Sequence, residues 1–354
     1  MPVNLPGKSK RMYNFRNDYS EGAHPNILNK LIETNLYQEQ GYGEDAFSIE
    51  AKALLRQKIN NPDAPIYFVS GGTQTNLLVI SSLLRVHEAV ISAKTGHIFS
   101  HETGAIEATG HRVITVDTTD GKVKPGHILQ VIKEYSLRPH MVKPKMVYIS
   151  NSTEIGTIYH KEELMALSAC CREQDLLLFM DGARMGHALT AANSDLQLSD
   201  IATLTDVFYI GGTKNGALLG EAIVFNNPHV APDFDFALKQ KGALLAKGRV
   251  LGIQFLELFS GDLYFNLAKH ANHMAAKISA AIHESGFTFL TQSTTNQIFP
   301  ILPKQMVDGF AAKYQFYVWK EIDEKTVAIR LITSWATVES TVDEFIADLR
   351  KYKA

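Results

Sequence analysis

An α/β domain with a largely parallel sheet, followed by a smaller α+β domain, is the architecture that this 354-residue sequence predicts. From Ile66 onward, short apolar strands alternate with amphipathic helices, which is typical of parallel sheets. Beyond residue 245 the alternation gives way to long helices and then to mixed helical and extended segments. We therefore expect an N-terminal segment over residues 1–45, a large domain over 46–245 and a small domain over 246–354.

The individual elements are predicted from short runs of strand-like or helix-like periodicity. Seven strands are predicted in the alternating region, at 66–69, 89–91, 112–116, 146–149, 176–180, 207–210 and 221–225. Helical periodicity is clear at 47–55, 75–84, 161–172, 267–285 and 341–349. Because ligands of open parallel sheets bind outside the carboxyl ends of the strands, we expect the functional site at that edge.

The composition excludes several classes of protein. With 45% hydrophobic residues, 20% charged residues and a formal net charge of −2, nothing favours nucleic acid or an anionic membrane as a partner. No apolar stretch reaches the roughly 18–20 residues of a membrane span, and residues 1–11 lack an apolar signal core. Cys170 and Cys171 are adjacent on a predicted helix, where a mutual disulfide would be strained, so we expect a cytoplasmic protein.

A lysine and an aspartate follow two of the predicted strands. Asp181 ends the apolar run 176–180, and Lys214 follows the strand 207–210 within the glycine-rich segment 211–216. A lysine among small residues can be desolvated, which lowers its pKa and makes the neutral amine nucleophilic. An aspartate at a neighbouring strand end can keep a pyridine nitrogen protonated, so the pair predicts a site for pyridoxal phosphate. A solvated loop lysine and a turn aspartate are the structural alternative.

A third strand leads into a turn that predicts a phosphate site. The strand 66–69 is followed by Gly71 and Gly72 and then by a helix, so free backbone N–H groups and the helix dipole favour an anion there. Thr73 and Gln74 would add side-chain donors. The turn matches neither the P-loop spacing nor the dinucleotide-binding fingerprint, so its interpretation depends on the aspartate and lysine downstream.

With these motifs the chain resembles, over nearly its full length, the threonine aldolase and β-eliminating lyase family of fold-type I pyridoxal-phosphate enzymes. The specific elements are Asp-Gly-Ala-Arg at 181–184 and Thr-Lys at 213–214, where the family has Ser-Lys. Supporting similarities lie at 16–19, 41–45, 72–76, 97–102 and 328–333. The resemblance implies the fold-type I architecture, with the N-terminal segment contributing to the active site and to the small domain.

The resemblance assigns the cofactor site residue by residue. Lys214 would bind the cofactor covalently, Asp181 would pair with its ring nitrogen, and His97 would stack on its ring as part of the catalytic machinery. The other implied cofactor contacts are Gly72, Thr73, Gln74, Arg184 and Thr213.

The resemblance also implies how a substrate carboxylate would be held. Arg330 would bind it bidentately, and Arg184 would contact either that carboxylate or the phenolate oxygen of the cofactor. Asn17, in place of the family's serine, would lie nearby. A structural ion pair is the alternative for both arginines.

One segment departs from the family pattern. After the strand 146–149, better-known aldolases carry Glu-Asn-Thr-His-Asn, whose histidine lies near the substrate's β-hydroxyl group. Here the segment 150–156 has no histidine, and Glu154 aligns with that position. The base for the hydroxyl proton is therefore His101, Glu154 or a water molecule.

The histidine pair at 97 and 101 also has the spacing of metal ligands, with Glu102 adjacent. The segment lacks the His-Glu-x-x-His arrangement, and the sequence shows no third ligand for zinc. We therefore predict no metal site.

The function that the resemblance implies is the cleavage of β-hydroxy-α-amino acids, such as L-threonine or L-allo-threonine, to glycine and an aldehyde. Two alternatives stay open: β-elimination or racemisation of another amino acid with the same cofactor, and a non-catalytic pyridoxal-phosphate-binding protein. The resemblance further implies a homodimer or homotetramer with active sites at the dimer interface. Tyr42 and Lys247 are candidate contributions from the neighbouring subunit, although Lys247 is equally well explained as a solvated helix lysine.

Overall fold

The computed structural model describes residues 12–352; residues 1–11, on which the expectation of no secretion signal depends, and residues 353–354 lie outside it. The helices of the described part are α1 Pro25–Glu33, α2 Ala46–Ile59, α3 Gly72–Leu83, α4 His97–Ser100, α5 Pro125–Glu134, α6 Lys161–Glu173, α7 Met185–Leu189, α8 Leu198–Leu204, α9 Phe234–Gln240, α10 Arg249–Phe259, α11 Leu263–Glu284, α12 Lys304–Ala311 and α13 Glu339–Leu349. None of these helices is long and apolar enough to cross a bilayer.

The strands form one large sheet and a group of smaller ones. They are β1 Tyr13–Asn14, β2 Ile66–Val69, β3 Glu88–Ala93, β4 Arg112–Val116, β5 Lys143–Ser150, β6 Leu177–Asp181, β7 Val207–Gly211, β8 Glu221–Phe225, β9 Thr288–Phe289, β10 Gln297–Ile298, β11 Pro300–Pro303, β12 Tyr314–Gln315, β13 Tyr317–Glu321 and β14 Thr326–Ile332. The large sheet has the order β2-β8-β7-β6-β5-β3-β4, and only β8 runs antiparallel to its neighbours. The predicted α/β class with a largely parallel sheet is therefore confirmed.

Both faces of the large sheet are buried under helices, as expected for a parallel sheet. Along β3, Ala89 and Ile91 belong to an apolar cluster on one face, while Val90 belongs to the cluster on the other. Helices α2, α5, α6, α8 and α10 cover the first face, and α3, α4 and α9 cover the second. The resulting three layers leave the ends of the strands as the edge at which a ligand can bind.

A second core lies in the C-terminal part of the chain. Strands β9, β10, β11, β13 and β14 form an antiparallel sheet that packs with α11, α12 and α13 around Ile329, Leu331 and Phe345. Strand β1 pairs with β12, and Phe15 is fully buried in the same cluster. The N-terminal segment therefore packs against the C-terminal core; the domain boundaries at residues 45 and 245 stay predictions.

The observed ends of the elements differ from the predicted ones by a few residues. The difference at α3 matters for the site, because it defines the first turn of that helix. This helix begins at Gly72 rather than at residue 75. Its first turn is made of polar residues, which the apolar periodicity of the sequence did not include. Gly71, in extended backbone, precedes the helix without a side-chain cap. The first-turn N–H groups of α3 are consequently free of an intrahelical or capping partner.

Candidate active site

The carboxyl edge of the large sheet borders a cavity of about 350 Å³. Residues that follow β2, β5, β6 and β7 form one side of it, and residues of the N-terminal segment and of β14 form the other. The cavity collects nearly all of the predicted site residues. They are Asn17, Gly72, Thr73, His97, His101, Glu154, Asp181, Arg184, Thr213, Lys214 and Arg330.

Lys214 lies in the turn between β7 and β8, where glycines allow the chain to reverse closely. Gly216 has a φ of 92°, in the left-handed region that glycine adopts without strain. Burial lowers the pKa of Lys214, and the charge of Arg184 lowers it further, against the opposing carboxylates of Asp18 and Asp181. The amine is therefore deprotonated more readily than an ordinary lysine, as a nucleophile for a carbonyl group requires.

Asp181 is the last residue of β6 and is buried beneath the cavity. Its carboxylate accepts hydrogen bonds from the hydroxyl group of Tyr148 at 2.5 Å and from the backbone N–H of Ala183 at 2.9 Å. Burial raises the pKa of Asp181, but His97 and the donors Tyr148, Tyr209 and Ala183 lower it by more, so the net shift is downward. Asp181 is thus a fixed negative charge facing the cavity.

A buried glutamate holds His97 in place. One oxygen of Glu102 lies 2.8 Å from His97 Nδ1 and accepts a second hydrogen bond from Asn76 at 2.7 Å. His97 stacks on His101 with ring centroids 5.5 Å apart and 18° between the planes. The sequence showed Glu102 only as a neighbour of the histidines, and its role in orienting His97 becomes visible in the fold.

Within residues 12–352, no three His, Cys, Asp or Glu side chains converge as metal ligands.

The phosphate end of the predicted site is the first turn of α3. Gly71, Gly72 and Thr73 line the cavity there, below free N–H groups and at the positive end of the helix dipole. Gln74 lies in the same turn and does not line the cavity. Its side-chain oxygen accepts hydrogen bonds from the backbone N–H and the hydroxyl group of Ser70, at 3.1 and 2.9 Å. The oxygen of this side chain therefore fixes the turn, and the donor role of its amide N–H groups stays a prediction.

Arg184 is fixed by a partner that sequence reasoning did not single out. Asp18 is fully buried and accepts from Arg184 Nε at 2.7 Å and from Nη2 at 3.1 Å, while Asn296 donates to it at 2.9 Å. Arg184 therefore makes the ion pair that was its structural alternative and also lines the cavity. The place of Asp18 in the family-like segment 16–19 is the sequence signal that could have pointed to it.

Arg330 reaches the cavity through the alternation of β14. Ile329 and Leu331 face the C-terminal core, so Arg330 and Ile332 lie on the opposite face and line the cavity. The alternative interpretation of this arginine was a structural ion pair with an acidic residue inside the protein. Among the described residues, no carboxylate lies within ion-pair distance of its guanidinium group. Asp18 pairs with Arg184 instead, and Glu321 pairs with Lys304.

Glu154 lies in the loop after β5 and faces the same cavity. Its Oε1 accepts hydrogen bonds from the hydroxyl group of Ser150 at 2.6 Å and from the backbone N–H of His97 at 3.0 Å. Burial raises the pKa of Glu154, and the negative charge of Asp181 adds to the increase. Both hydrogen bonds within the described chain use Oε1, so Oε2 is available to a ligand.

Glu221 is a further cavity residue that sequence reasoning missed. It begins β8, and its carboxyl group accepts from the backbone N–H of Gly212 at 3.0 Å and from the hydroxyl group of Thr213 at 2.9 Å. Burial raises the pKa of Glu221 to about 8. This carboxyl group fixes the turn that carries Lys214, and only its position after a glycine-rich segment could have drawn attention to it.

Fold and site together define the class of the protein. A lysine and an aspartate at the ends of adjacent strands of this sheet are the arrangement of fold-type I pyridoxal-phosphate enzymes. The fold matches that of aspartate aminotransferase from Thermus thermophilus with a TM-score of 0.71 at 12% identity, covering 96% of this chain and 91% of that one. Within the class, the model of the β-eliminating lyase family matches residues 14–304, and the chain belongs to this family. The predicted family is thereby confirmed.

Individual relatives narrow the comparison. A low-specificity L-threonine aldolase from a Pseudomonas species is 33% identical over 342 residues, covering 95% of this chain and 96% of its own length. The corresponding protein from Pseudomonas aeruginosa is 32% identical over the same share. A solved structure of threonine aldolase from Leishmania major superposes with a TM-score of 0.95 at 46% identity, covering 97% of this chain and all of that one.

Proposed function

We propose that this protein uses pyridoxal phosphate to cleave L-threonine and L-allo-threonine, among β-hydroxy-α-amino acids, to glycine and an aldehyde. The observation that carries the proposal is the convergence of Lys214, Asp181 and Arg330 on one cavity. The names of the Pseudomonas and Leishmania relatives support the choice of reaction.

The residues present fit the cofactor. The charge of Asp181 complements a protonated pyridine nitrogen, and the first turn of α3 complements a phosphate group. His97 offers a ring that Glu102 holds in one orientation, and Lys214 offers an amine with a lowered pKa. When bound, pyridoxal phosphate supplies an electron-accepting ring that stabilises negative charge at the substrate's Cα atom.

The two arginines of the cavity bind and orient the amino acid. Arg330 has no acidic partner among the described residues, so its N–H groups can hold the substrate carboxylate in a bidentate contact. Arg184 is already held by Asp18 and adds positive charge beside that position. Fixing the carboxylate and the amine of the substrate also fixes which bond at Cα is aligned for cleavage.

Two residues can take the proton of the β-hydroxyl group. Glu154 has a raised pKa, and its free Oε2 can accept the proton as the Cα–Cβ bond breaks and the aldehyde leaves. Burial lowers the pKa of His101, with a further contribution from His97, so its imidazole is neutral at pH 7 and is the second candidate. The proton that Glu154 or His101 takes up can then be returned to Cα, directly or through the amine of Lys214, which completes glycine.

We also propose that the protein acts as a homodimer or homotetramer. Leu28, Ile32, Leu36 and Tyr37 form an exposed apolar stretch on α1 and the loop that follows it, with Ile32 75% and Leu36 89% exposed. Tyr42 is exposed and does not line the cavity of its own chain, which suits a residue that serves a neighbouring one. A cytoplasmic location stays a prediction.

Acetaldehyde release from the cofactor-loaded protein tests the proposed reaction. L-threonine and L-allo-threonine are supplied separately, and release from either establishes the cleavage, with the ratio giving the stereopreference. Replacing Lys214 with Ala is expected to abolish release because no other lysine of residues 12–352 lines the cavity. The matched control is Lys94→Ala, which removes a lysine whose side chain is 63% exposed. Retained activity in Lys214→Ala would disprove the assigned role.

Product identity separates the alternatives. Pyruvate and ammonia, instead of glycine and an aldehyde, would show β-elimination, and inversion at Cα without cleavage would show racemisation. A protein that binds pyridoxal phosphate and turns over neither threonine isomer nor any other amino acid would fit the non-catalytic alternative.

A further inference from the structure

Arg330 is partly buried and is held in an unusual way for an arginine. Its Nε atom is buried and has no hydrogen-bond partner within residues 12–352, and its Nη2 makes one long contact, 3.4 Å, to the backbone oxygen of Arg16. Its guanidinium carbon instead lies 4.9 Å from the ring centroid of Trp319 and 5.3 Å from that of Tyr317. Aromatic faces therefore take the place of the carboxylate that ordinarily orients a guanidinium group in a protein cavity.

A β-bulge provides this arrangement. In the pairing of β13 with β14, Tyr317 lies opposite Arg330 and Val318 opposite Ile329, after which the register shifts so that Lys320 lies opposite Ala328. Trp319 is the extra residue. Bulges of this kind are used near active sites to re-aim a side chain, and here the re-aimed side chain is an indole ring.

The indole ring of Trp319 also contacts a second cavity residue. It is nearly parallel to the ring of His101, with 9° between the planes and 6.5 Å between the centroids, and it packs edge-on against the buried Phe299 at 5.3 Å. Because His101 stacks in turn on His97, one column of rings runs from the predicted cofactor face to the guanidinium group of Arg330. Trp319 lies in the middle of that column and outside the cavity wall.

We propose that Trp319 and Tyr317 are positioning residues for the substrate carboxylate. Their rings hold the flat face of the Arg330 guanidinium group, which orients it and leaves its N–H edge to the carboxylate. An aspartate or glutamate in their place would occupy those N–H groups and compete with the substrate. The inference rests on the proposed function, because it takes the ligand of Arg330 to be an amino-acid carboxylate.

Binding of glycine and of glycinamide to the cofactor-loaded protein, measured by calorimetry, tests the proposal without turnover. Both ligands carry the amine, and only glycine carries the carboxylate. Trp319→Ala is expected to weaken glycine binding about 10-fold and to leave glycinamide binding within about 2-fold, as expected for a desolvated cation–π contact. Tyr317 is 47% exposed, so Tyr317→Ala is expected to weaken glycine binding less, by about 3-fold.

Three further variants separate positioning from packing. Trp319→Phe keeps an aromatic face and is expected to restore most of the glycine affinity. Val318→Ala, a change on the other face of the same strand, is expected to alter neither ligand. In an Arg330→Lys background, Trp319→Ala is expected to add little, because the group that it positions is gone. If Trp319→Ala does not fold, Trp319→Leu keeps apolar bulk without a π face and is expected to give the same ligand-selective loss.

The results distinguish failure of this inference from failure of the proposed reaction. A selective loss of glycine binding supports the positioning role even if neither threonine isomer is cleaved. If threonine is cleaved but glycine and glycinamide are affected equally, or if neither is affected, the positioning role is overturned and the reaction stands.

Discussion

The loop after β5 and the end of β6 each present one carboxylate to the cavity, and the two are held in opposite ways. Asp181, at the end of β6, has donors in Tyr148, Tyr209 and Ala183, and their effect together with His97 outweighs burial and lowers its pKa. Glu154, in the loop after β5, has fewer donors, and burial raises its pKa. Neighbouring carboxylates in one cavity can therefore serve different purposes, one as a permanent charge and one as a group that exchanges a proton.

The largest effect is expected from neutralising the permanent charge. Asp181→Asn keeps the shape of the side chain and removes the negative charge that faces the ring nitrogen of the proposed cofactor. We expect kcat for L-threonine cleavage to fall by about 10²–10³, the range found when a preorganised electrostatic partner is removed. Steady-state kinetics at saturating pyridoxal phosphate measure this change.

Asp206→Asn is the matched control for that variant. Asp206 directly precedes the first residue of β7, and it accepts a hydrogen bond from the backbone N–H of Leu178 at 2.7 Å, away from the cavity. We expect its kcat to equal that of the unmodified protein. Equal losses in the two variants would mean that Asp181 acts on the sheet and not on the chemistry.

A smaller effect is expected when Glu154 is replaced by a residue that cannot exchange a proton. Glu154→Gln is expected to lower kcat by about 10²-fold, a typical contribution of a general base. In the unmodified protein, kcat is expected to rise with pH as Glu154 loses its proton, and the raised pKa of this carboxyl group moves that rise above the range of an ordinary glutamate. The pH profile of kcat, with bound cofactor measured at each pH, shows whether the rise disappears in Glu154→Gln.

Glu88→Gln provides the comparison for Glu154→Gln. Glu88 is a buried glutamate at the amino end of β3, away from the cavity, and it accepts a hydrogen bond from the backbone N–H of Arg85. We expect it to keep the pH profile of the unmodified protein. If the profile of Glu154→Gln is also unchanged, the base is another group, and His101 becomes the residue to test.

The smallest effect is expected from Ser150→Ala, which sharpens the contrast between the two carboxylates. The Ser150 hydroxyl group donates to Glu154 at 2.6 Å and lowers the pKa of that carboxyl group, so its loss is expected to raise the pKa further. The rise of kcat should then move to higher pH, while kcat above the rise stays within about 2-fold. Movement to lower pH would contradict the assigned hydrogen bond.

The fold and much of the candidate site follow from local sequence patterns. Apolar runs ending at Asp181 and near Lys214 identify two buried strands, and the carboxyl ends of parallel strands lie at one edge of a sheet. This geometric rule brings the lysine, the aspartate and the turn before α3 together without further information. Arg330 required more, since its place in the sequence was interpretable only through the family resemblance.

The partners of these residues could not be predicted in the same way. Asp18 and Arg184 are separated by 166 positions, and Trp319 reaches Arg330 through a register shift that no local pattern signals. Gln74 is a local example of the same limit, because its side-chain oxygen accepts a hydrogen bond from the hydroxyl group of Ser70, a contact that the sequence of the turn did not reveal. Such contacts depend on which side chains meet across elements that are distant in the chain.

The sequence by itself determined the fold class, the family and the positions of the lysine and aspartate, because hydrophobic periodicity and strand-end motifs are local properties. The tertiary structure decided the protonation preferences of Asp181 and Glu154 and the way in which Arg184 and Arg330 are held. Those properties depend on burial and on donors, charges and aromatic faces that converge from separate elements, and such convergence is fixed only when the chain has folded.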